Sequence, residues 1–551
     1  MMAGLLGRAN HLAGLVRSTL HRDLEVRGIR QADRELVGST YHGHAQFTAC
    51  RPLDARSIPA IGVPMQSVAE YQAALDLAAR TMLDFRAIGN VRYTGAGALR
   101  TVLGIRDHEW SEALRVLLAE IPGALVGVDS EWSDPSAAKY VDARGPLGPA
   151  EEASAVHLLV PAVVRHRGNI IKRFGFESAL RLEKWSVVAD SWTASIWNPV
   201  TSSLGDEEFR SRAEKLEDAG RSSSVTSTPH LMQVTFPIDA VYTWVDGTDP
   251  AWLERKRAAL EHNLGHPMPE AAADDLRFVG HDELRHSLRS LEQYAPWIRH
   301  VYLVTDGQRP DWLREDSEWV TVVDHRDIAP AGTVLPTFNS QAIEANLHRI
   351  DGLSEHFLYF NDDMFLSSPV QPELFFHANG LASMFLSRAQ VAPGEPVEGE
   401  PAPDAAGKNA RRLVQEVSGR RLSRKLFHAP YALRRSVSYE IEERWPEIVQ
   451  RTRDSQFRRL EDVTLAGGLH LNYAYATSRA VTRGIRYRYV GIGEETAAAE
   501  LRRLIADRDS LKTFCLNDAV QELPSDVVDR QVRAFLAERF PDMGSFEKLP
   551  D

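Results

Sequence analysis

Short apolar runs and amphipathic segments alternate through the second half of the chain. Four apolar runs of four to eight residues are bounded by polar turns, which predicts buried strands. They lie at residues 238–245, 301–305, 320–323 and 357–360. Between them, residues 282–294 place Leu284, Leu288 and Leu291 on one side of a predicted helix, and residues 339–350 predict another. This alternation predicts a Rossmann-like α/β fold with a largely parallel sheet, whose ligands bind at the carboxyl ends of the strands.

The rest of the chain predicts further segments. Residues 26–200 mix helical and strand patterns, such as a helix at 67–87 and a strand at 156–164, which predicts a separate α+β N-terminal domain of unknown role. Ser, Thr and charged residues predict a linker at 201–235 before a catalytic domain at 236–551. Within that domain, the Pro-, Gly- and Glu-rich residues 393–407 predict a mobile loop.

Residues 1–25 have the pattern of a basic amphipathic helix. Leu5, Leu12, Val16 and Leu20 share one face. Packing on the protein's own domain is the preferred interpretation, and peripheral contact with a membrane surface is the alternative. Arginines interrupt the apolar stretch that a signal peptide needs, and no run of about 18 apolar residues predicts a membrane-spanning helix.

Composition narrows the function classes. A net charge of −12 argues against a nucleic-acid partner. Only two cysteines occur among 551 residues, which excludes a disulfide scaffold and disfavours a cysteine-based zinc site. The low cysteine content also predicts a cytoplasmic protein, either free or peripheral to the inner face of the membrane.

Acidic and glycine residues follow two of the predicted strands. Asp246 and Gly247 follow the first, and Asp306 and Gly307 follow the second. Trp244 offers a ring face for a base or a sugar, Asp246 an acceptor for ribose hydroxyls, and Gly247 a backbone that a ligand can approach closely. Ordinary Asp-Gly turns are the alternative interpretation.

Two adjacent carboxylates, Asp362 and Asp363, follow the strand at 357–360. Mg²⁺ commonly uses one or two carboxylates together with phosphate oxygens, so this turn is a candidate diphosphate–metal site. A solvated acidic loop is the alternative. Further polar candidates lie elsewhere in the chain, and spacing alone does not bring them together. They are Asn339, Glu344, His348, His428, Arg458, Asn517 and Asp518.

Taken in order, these segments resemble the Stealth family of sugar-1-phosphate transferases, which includes bacterial capsular polysaccharide phosphotransferases and the animal lysosomal-enzyme N-acetylglucosamine-1-phosphotransferase. The resemblance covers most of residues 238–520, and none of it lies in residues 1–235. The blocks that carry it are IDAVYTWVDGTDPAW (238–252), the segment 282–365 with LPTFNSQAIEANLHRIDGLSEHFLYFNDDMF, HAPYALRRS (428–436) with FRRLEDV (457–463), and FCLND (514–518).

The resemblance implies roles for particular residues. Glu344, Asp363, His428 and Arg458 match residues essential for catalysis. The segment 244–247 matches the donor-binding block, to which we add Asp306, Gly307 and Asn339 as donor-binding candidates. Asn517 and Asp518 match the last block and are expected, with Asp363, to bind the cation or the diphosphate.

The resemblance also implies a reaction. A UDP-sugar would donate hexose-1-phosphate to a hydroxyl of a glycan acceptor with Mg²⁺ (or Mn²⁺), releasing UMP, in capsule or cell-surface polysaccharide synthesis. His428 is the preferred base, and a phosphate contact is its alternative role. Two other functions stay open at this point: a metal-dependent glycosyltransferase releasing UDP, and a non-catalytic carbohydrate-binding protein.

Overall fold

The computed structural model describes residues 231–548 except 233, 264–277, 279, 369, 508–510 and 519–521. Before residue 231 it describes short segments between residues 90 and 207. The chain divides into two units, Met1–His230 and Leu231–Asp551. The helices expected at 1–25 and 67–87 lie outside the described residues.

The described part of the first unit consists mainly of strands. Its strands are β1 (Asn90–Tyr93), β2 (Arg100–Arg106), β3 (Leu125–Val128), β4 (Lys139–Asp142), β5 (Ala155–Leu159), β6 (Ala162–His166), β7 (Asn169–Phe174), β8 (Leu180–Val188), β9 (Ser191–Ala194) and β10 (Ser203–Gly205), with a 3₁₀ turn at Asp107–Glu109 and a helix, α1 (Gly148–Glu152). The main sheet has the order β1-β2-β8-β5-β3-β4, extended from β8 by β9 and from β9 by β10, while β6 pairs with β7.

Two sequence predictions in this unit were wrong in their bounds. The single strand expected at 156–164 is two strands, β5 and β6, which belong to different sheets. The expected linker at 201–235 begins too early, because β10 pairs with β9 and Leu204 is buried against Trp185 and Trp192. The separate N-terminal domain itself stays a prediction.

The second unit is mixed α/β. Its strands are β11 (Ile238–Thr243), β12 (Val301–Thr305), β13 (Val320–Asp324), β14 (His356–Asn361), β15 (Met364–Leu366), β16 (Ala382–Met384), β17 (Leu386–Gln390), β18 (Arg424–Leu426), β19 (Tyr431–Arg434), β20 (Ala480–Thr482), β21 (Tyr487–Gly491) and β22 (Thr513–Asn517).

Its helices lie between these strands. They are α2 (Pro250–His262), α3 (Glu283–Tyr294), α4 (His325–Ile328), α5 (Ser340–Glu344), α6 (Pro372–Phe375), α7 (Ala402–Ser418), α8 (Arg435–Arg444), α9 (Pro446–Arg453), α10 (His470–Ala476), α11 (Ala497–Ala506) and α12 (Ser525–Arg539), with a 3₁₀ turn at Leu347–Arg349 and a π-helical turn at Leu465–Leu469.

The central sheet of this unit has the order β13-β12-β11-β14-β19. Its first four strands are parallel, and β19 is antiparallel at the edge. The chain steps outward from β11 to β13 and then returns to the other side of β11 with β14. The direction of winding therefore reverses between β11 and β14, and such a reversal opens a crevice at the carboxyl ends of the two strands.

Burial explains why the sequence forms this sheet. All five residues of β12 are buried, as are the first five of β11 and of β14, which suits a sheet covered on both faces. Helix α3 packs Leu284, Leu288 and Leu291 into the same core. The buried carboxylate of Asp239 on β11 is paired with Arg299, with nitrogen–oxygen distances of 2.8 and 2.6 Å.

Two expected elements of the second unit differ. The helix expected at 339–350 is interrupted after Glu344 and resumes only as the 3₁₀ turn. The mobile loop expected at 393–407 includes the start of α7, where Ala402, Ala405 and Ala406 are buried. Lys408 in α7 also holds the segment before this helix, because its ammonium group donates hydrogen bonds to the Glu400 carboxylate at 2.5 Å and to the carbonyl of Glu395 at 3.1 Å.

In the described part of the chain, no helix is both long and apolar enough to cross a membrane.

Candidate active site

The turn after β14 brings three of the predicted residues together. Thr243 at the end of β11 pairs with Asn361 at the end of β14, so Asp362 and Asp363 enter the crevice beside β11. Asp363 Oδ1 lies 3.3 Å from His428 Nε2, and Asp363 Oδ2 lies 3.2 Å from the Cys515 sulfur. The Asn361 side-chain amide contacts the same ring nitrogen of His428 at 3.2 Å.

Asp363 and His428 form a charge pair. Burial by itself would raise the pKa of Asp363, but the facing imidazole and hydrogen bonds from Cys515 and Asn517 outweigh burial, so this pKa is lowered. Burial by itself would lower the pKa of His428, but the Asp363 carboxylate outweighs it, so the pKa of His428 is raised above 6.5. The other ring nitrogen, Nδ1, lies 3.3 Å from the Tyr431 hydroxyl.

The neighbouring Asp362 is held differently. Burial, then the charges of Asp363 and Glu283, raise its pKa well above the ordinary value. Carboxylates concentrated in this way favour a bound cation. Among the described residues, the side-chain oxygens of Asn361 and Asn517 are buried without a hydrogen-bond partner, so this donor set fits a divalent cation.

The predicted metal ligands are only partly brought together. Asn517 bonds Asp363, but Asp518 points elsewhere, with a carboxylate oxygen 3.7 Å from His281 Nε2. In the described part of the chain, one group of His, Cys and carboxylate side chains has potential ligand atoms within 4.8 Å of one another: Asp363, His428 and Cys515. The expectation that Asp518 lies with Asp363 at the cation is not met by this geometry.

Glu344 and Arg458 complete the group. Glu344 ends α5, and its carboxylate accepts hydrogen bonds from the hydroxyl of Thr464 and from backbone amides at the π-helical turn. Burial raises the pKa of Glu344, and the charge of Arg458 partly opposes this rise. Arg458 is anchored to the Ser340 hydroxyl at 2.7 Å, while its Nε atom is buried without a partner among the described residues.

These four side chains act on one another electrostatically. The charge of Glu344 raises the pKa of His428 and that of Arg458 lowers it. The structure therefore gathers Glu344, Asp363, His428 and Arg458, which lie far apart in the sequence, into one cluster.

Asn339 does not face this crevice. The side chain is completely buried. Its Oδ1 atom caps α5 by accepting a hydrogen bond from Gln341 N at 3.1 Å. Its Nδ2 atom donates to Ser455 O at 3.1 Å and to Asp462 Oδ2 at 2.9 Å. The expectation that it binds the donor is therefore wrong for the side chain, which instead fixes the loop that carries Arg458.

The turns after β11 and β12 are joined by Gln308, a residue to which the sequence analysis gave no role. Its side chain accepts from the backbone amide of Asp246 at 3.0 Å and donates to the carbonyl of Asp246 and to Asp249, both at 3.0 Å. The backbone amide of Thr248 donates a hydrogen bond to Asp246 Oδ1 at 2.8 Å. Trp244 is half-buried against the core, which leaves part of its ring accessible.

One donor-site expectation at these turns needs correction. A Cβ on Gly247 would lie 2.0 Å from the backbone oxygen of Phe278, so this glycine is required by protein packing rather than by a ligand. Arg255 engages the Asp306 carboxylate through one oxygen, because its Nε and Nη2 both donate to Oδ2, at 3.0 and 2.8 Å. Donor binding by Asp306 stays a prediction, and it would have to use Oδ1. Gly307 does have a positive φ, of 69°.

Comparison with known proteins supports the grouping of these segments. Three models of the family match: Stealth protein conserved region 1 at residues 236–264, conserved region 2 at 277–384 and conserved region 3 at 427–475. The exopolysaccharide phosphotransferase SCO6021 of Streptomyces coelicolor is 37% identical over 488 residues, covering 85% of this chain and 88% of the relative. The chain belongs to the Stealth family.

Two further relatives have the same designation. SCO6023 of the same organism, also named exopolysaccharide phosphotransferase, is 44% identical over 389 residues, which cover 68% of this chain and 65% of that protein. CpsY of Mycobacterium leprae, with the same designation, is 34% identical over 460 residues, covering 81% and 83% of the two chains. Membership of the Stealth family identifies the chain as a transferase.

The relatives also correct the extent of the resemblance. An alignment of 488 residues is longer than the stretch from residue 236 to the C-terminus at 551, so it includes part of the N-terminal region.

A solved galactosyltransferase, LgtC with donor and acceptor sugar analogs, matches at a TM-score of 0.29 and 9% identity, covering 57% of this chain and 98% of that chain. A similarity of this size is too weak to indicate a shared fold.

The three Stealth regions account for the cluster. Region 2 supplies Glu344 and Asp363, and region 3 supplies His428 and Arg458. Sequence reasoning did not find the contact of Cys515 with Asp363 or of Thr464 with Glu344. The sequence did contain an indication of the Cys515 contact, because Cys515 alternates with the apolar residues of its strand and so faces the other side of the sheet. No sequence pattern indicated the contact of Thr464 with Glu344.

Proposed function

We propose that this Stealth protein transfers hexose-1-phosphate from a UDP-sugar to a hydroxyl of a glycan acceptor and releases UMP, in the synthesis of a cell-surface polysaccharide. The observation that carries the proposal is the convergence of Glu344, Asp363, His428 and Arg458 beside the crevice between β11 and β14. Two anionic and two basic side chains around a strand-end crevice suit a phosphoryl reaction, which depends on positioning and charge neutralisation.

The proposed reaction makes and breaks one phosphorus–oxygen bond. The acceptor oxygen attacks the β-phosphorus of the donor, and the bond from that phosphorus to the bridging oxygen of UMP breaks. The hydroxyl proton passes to the protein, and UMP leaves with the bridging oxygen. Because the anomeric carbon–oxygen bond stays intact, the configuration of the sugar is retained.

His428 is the proposed proton acceptor. A general base works best when its pKa lies near the operating pH, and Asp363 shifts the pKa of His428 upward from 6.5. Asp363 also fixes the ring orientation through Nε2. The proton that His428 takes from the acceptor hydroxyl must then pass to solvent, which restores the neutral imidazole for the next turnover.

Arg458 is the proposed contact for the transferring phosphoryl group. Its Nε atom is buried without a partner among the described residues, whereas Nη2 is fixed by Ser340. An oriented guanidinium that lacks one partner is suited to phosphate oxygens. The negative charge of Glu344 acts on Arg458 and would partly balance its positive charge.

A divalent cation, Mg²⁺ or Mn²⁺, fits beside Asp363. Asp362, Asp363 and Asn517 are the proposed ligands, because the raised pKa of Asp362 and the unpartnered Asn517 oxygen suit a cation. Such a cation would neutralise charge on the diphosphate and on departing UMP. Asp518 would then act indirectly, through its contact with His281.

The donor nucleotide is proposed to lie along the turn after β11. The half-exposed ring of Trp244 offers a stacking face for the uracil, and Asp246 offers a second carboxylate oxygen for the ribose. Gln308 keeps this turn in place, so its contribution would be to positioning. A cytoplasmic location stays a prediction, with peripheral membrane contact through residues 1–25 as the alternative to their packing on the protein's own domain.

The test is to identify the nucleotide that is released. The full chain is incubated with Mg²⁺, a panel of UDP-sugars and oligosaccharide acceptors, with and without EDTA. UMP together with a phosphodiester-linked product would support the proposal and identify the donor. UDP would indicate a glycosyltransferase, and glycan binding without release of any nucleotide would indicate a binding protein. Activity that survives EDTA would contradict the cation site.

A further inference from the structure

The buried thiol of Cys515 faces the candidate catalytic carboxylate. Cys515 lies in β22 with no exposed surface, and its sulfur is 3.2 Å from Asp363 Oδ2. A thiolate at this distance would be repelled by the carboxylate, so the contact requires the protonated thiol as donor.

The backbone fixes this contact from both sides. Cys515 is the register partner of Met364, and the amide of Leu516 donates to the Asp363 carbonyl at 3.0 Å. Phe514 and Leu516 point to the opposite face, where both belong to a separate hydrophobic cluster with α11 and α12. Alternation along the strand therefore directs Cys515 alone, of these three neighbours, toward the active site.

We propose that Cys515 is a positioning residue, whose thiol holds Oδ2 of Asp363 so that Oδ1 stays aimed at His428. The proposal rests on the proposed function for its catalytic meaning, but the contact itself does not depend on which nucleotide is released. A carboxylate whose Oδ2 accepts from Cys515 and whose Oδ1 faces His428 has lost rotational freedom, and that preorganisation is used in the transition state.

The test compares three single variants of the full chain: Cys515→Ser, Cys515→Ala and the matched control Leu516→Val. Serine keeps a donor on the same face, alanine removes it, and the control loosens the packing of the same strand on its other face. We expect kcat to fall about tenfold in Cys515→Ala with the donor KM nearly unchanged, as for loss of one hydrogen bond to a charged group. Cys515→Ser should recover most of that loss.

Three results would overturn the proposal. If Cys515→Ser is as impaired as Cys515→Ala, the sulfur acts in another way, such as binding a thiophilic metal. If Leu516→Val loses kcat equally, packing explains the effect. If a crystal structure of Cys515→Ala leaves the Asp363 carboxylate in place beside His428, the thiol does not position it. This structural comparison remains valid whether wild-type protein releases UMP, UDP or neither, which separates this inference from the proposed function.

Discussion

Glu344 Oε2 accepts a hydrogen bond from the Thr464 hydroxyl at 2.7 Å, although 120 residues separate the two in the chain. The amides of Ala466 and Gly467, at 3.0 and 3.4 Å, point to the same oxygen. One carboxylate oxygen thus fixes the π-helical turn, while the charge of the group acts on Arg458 and His428. Anchoring and electrostatics are therefore separable in Glu344.

Glu344→Gln should abolish most activity without unfolding the protein. Glutamine keeps an oxygen that can accept from the Thr464 hydroxyl and the two amides, but it removes the negative charge. We expect kcat to fall by about 10²-fold or more, as when a preorganised electrostatic group is lost. Steady-state rates of nucleotide release and the thermal unfolding midpoint measure the two effects.

Thr464→Val is the control for anchoring, because it removes one donor and leaves the charge. We expect this variant to lose thermal stability and to keep more activity than Glu344→Gln. If Glu344→Gln has no cooperative thermal transition, Glu344 is scaffold rather than site. If both variants lose equal activity, the charge has no separate role.

The sequence predicted the parallel strands well because burial on both faces leaves a continuous apolar run. It also predicted that polar side chains would follow β11 and β14 at one edge, since strand ends of a parallel sheet coincide. It could not predict that Gly247 is required by Phe278, or that the side-chain amide of Asn339 bonds Ser455 and Asp462 inside the protein. Those partners lie beyond the range of local spacing, and only tertiary packing determines them.

The pH dependence of kcat should distinguish the two roles of His428. A general base must be neutral, so activity would be lost as the pH falls through the pKa of His428. Since that pKa is raised, the midpoint should lie above pH 6.5. A cationic phosphate contact predicts the opposite, with activity lost as the pH rises. His428→Gln should lose this limb of the kcat profile, and a limb that persists in the variant would belong to another group.

Asp462→Asn should change how stability depends on pH. Asp462 is completely buried, and burial raises its pKa from 3.8 to about 6 despite hydrogen bonds from Arg459 N, Ser455 and Asn339. Because the folded-state pKa lies above the unfolded one, its contribution to stability is full below pH 3.8 and is lost as the pH rises through 6. The loss amounts to about 3 kcal/mol, at 1.36 kcal/mol per pKa unit.

Asparagine can keep the same hydrogen bonds. Its oxygen can replace Oδ2, which accepts from Asn339 and Arg459 N, and its amide can donate to the Ser455 hydroxyl, which then donates to Arg451 O. The free energy of unfolding, measured with urea from pH 4 to 7, should therefore fall less with pH in Asp462→Asn than in wild type. Parallel curves for the two proteins would show that Asp462 does not titrate in this range.

Gly247→Ala should damage folding before it damages donor binding. The added Cβ would lie 2.0 Å from Phe278 O and 2.7 Å from the Phe278 carbonyl carbon, and backbone atoms cannot move aside cheaply. We expect a loss of about 1–3 kcal/mol in the free energy of unfolding, the usual cost of overpacking. Gly484→Ala is the matched control, because its Cβ would meet no atom within 4 Å. Unchanged stability in Gly247→Ala together with a raised donor KM would instead restore the ligand explanation for this glycine.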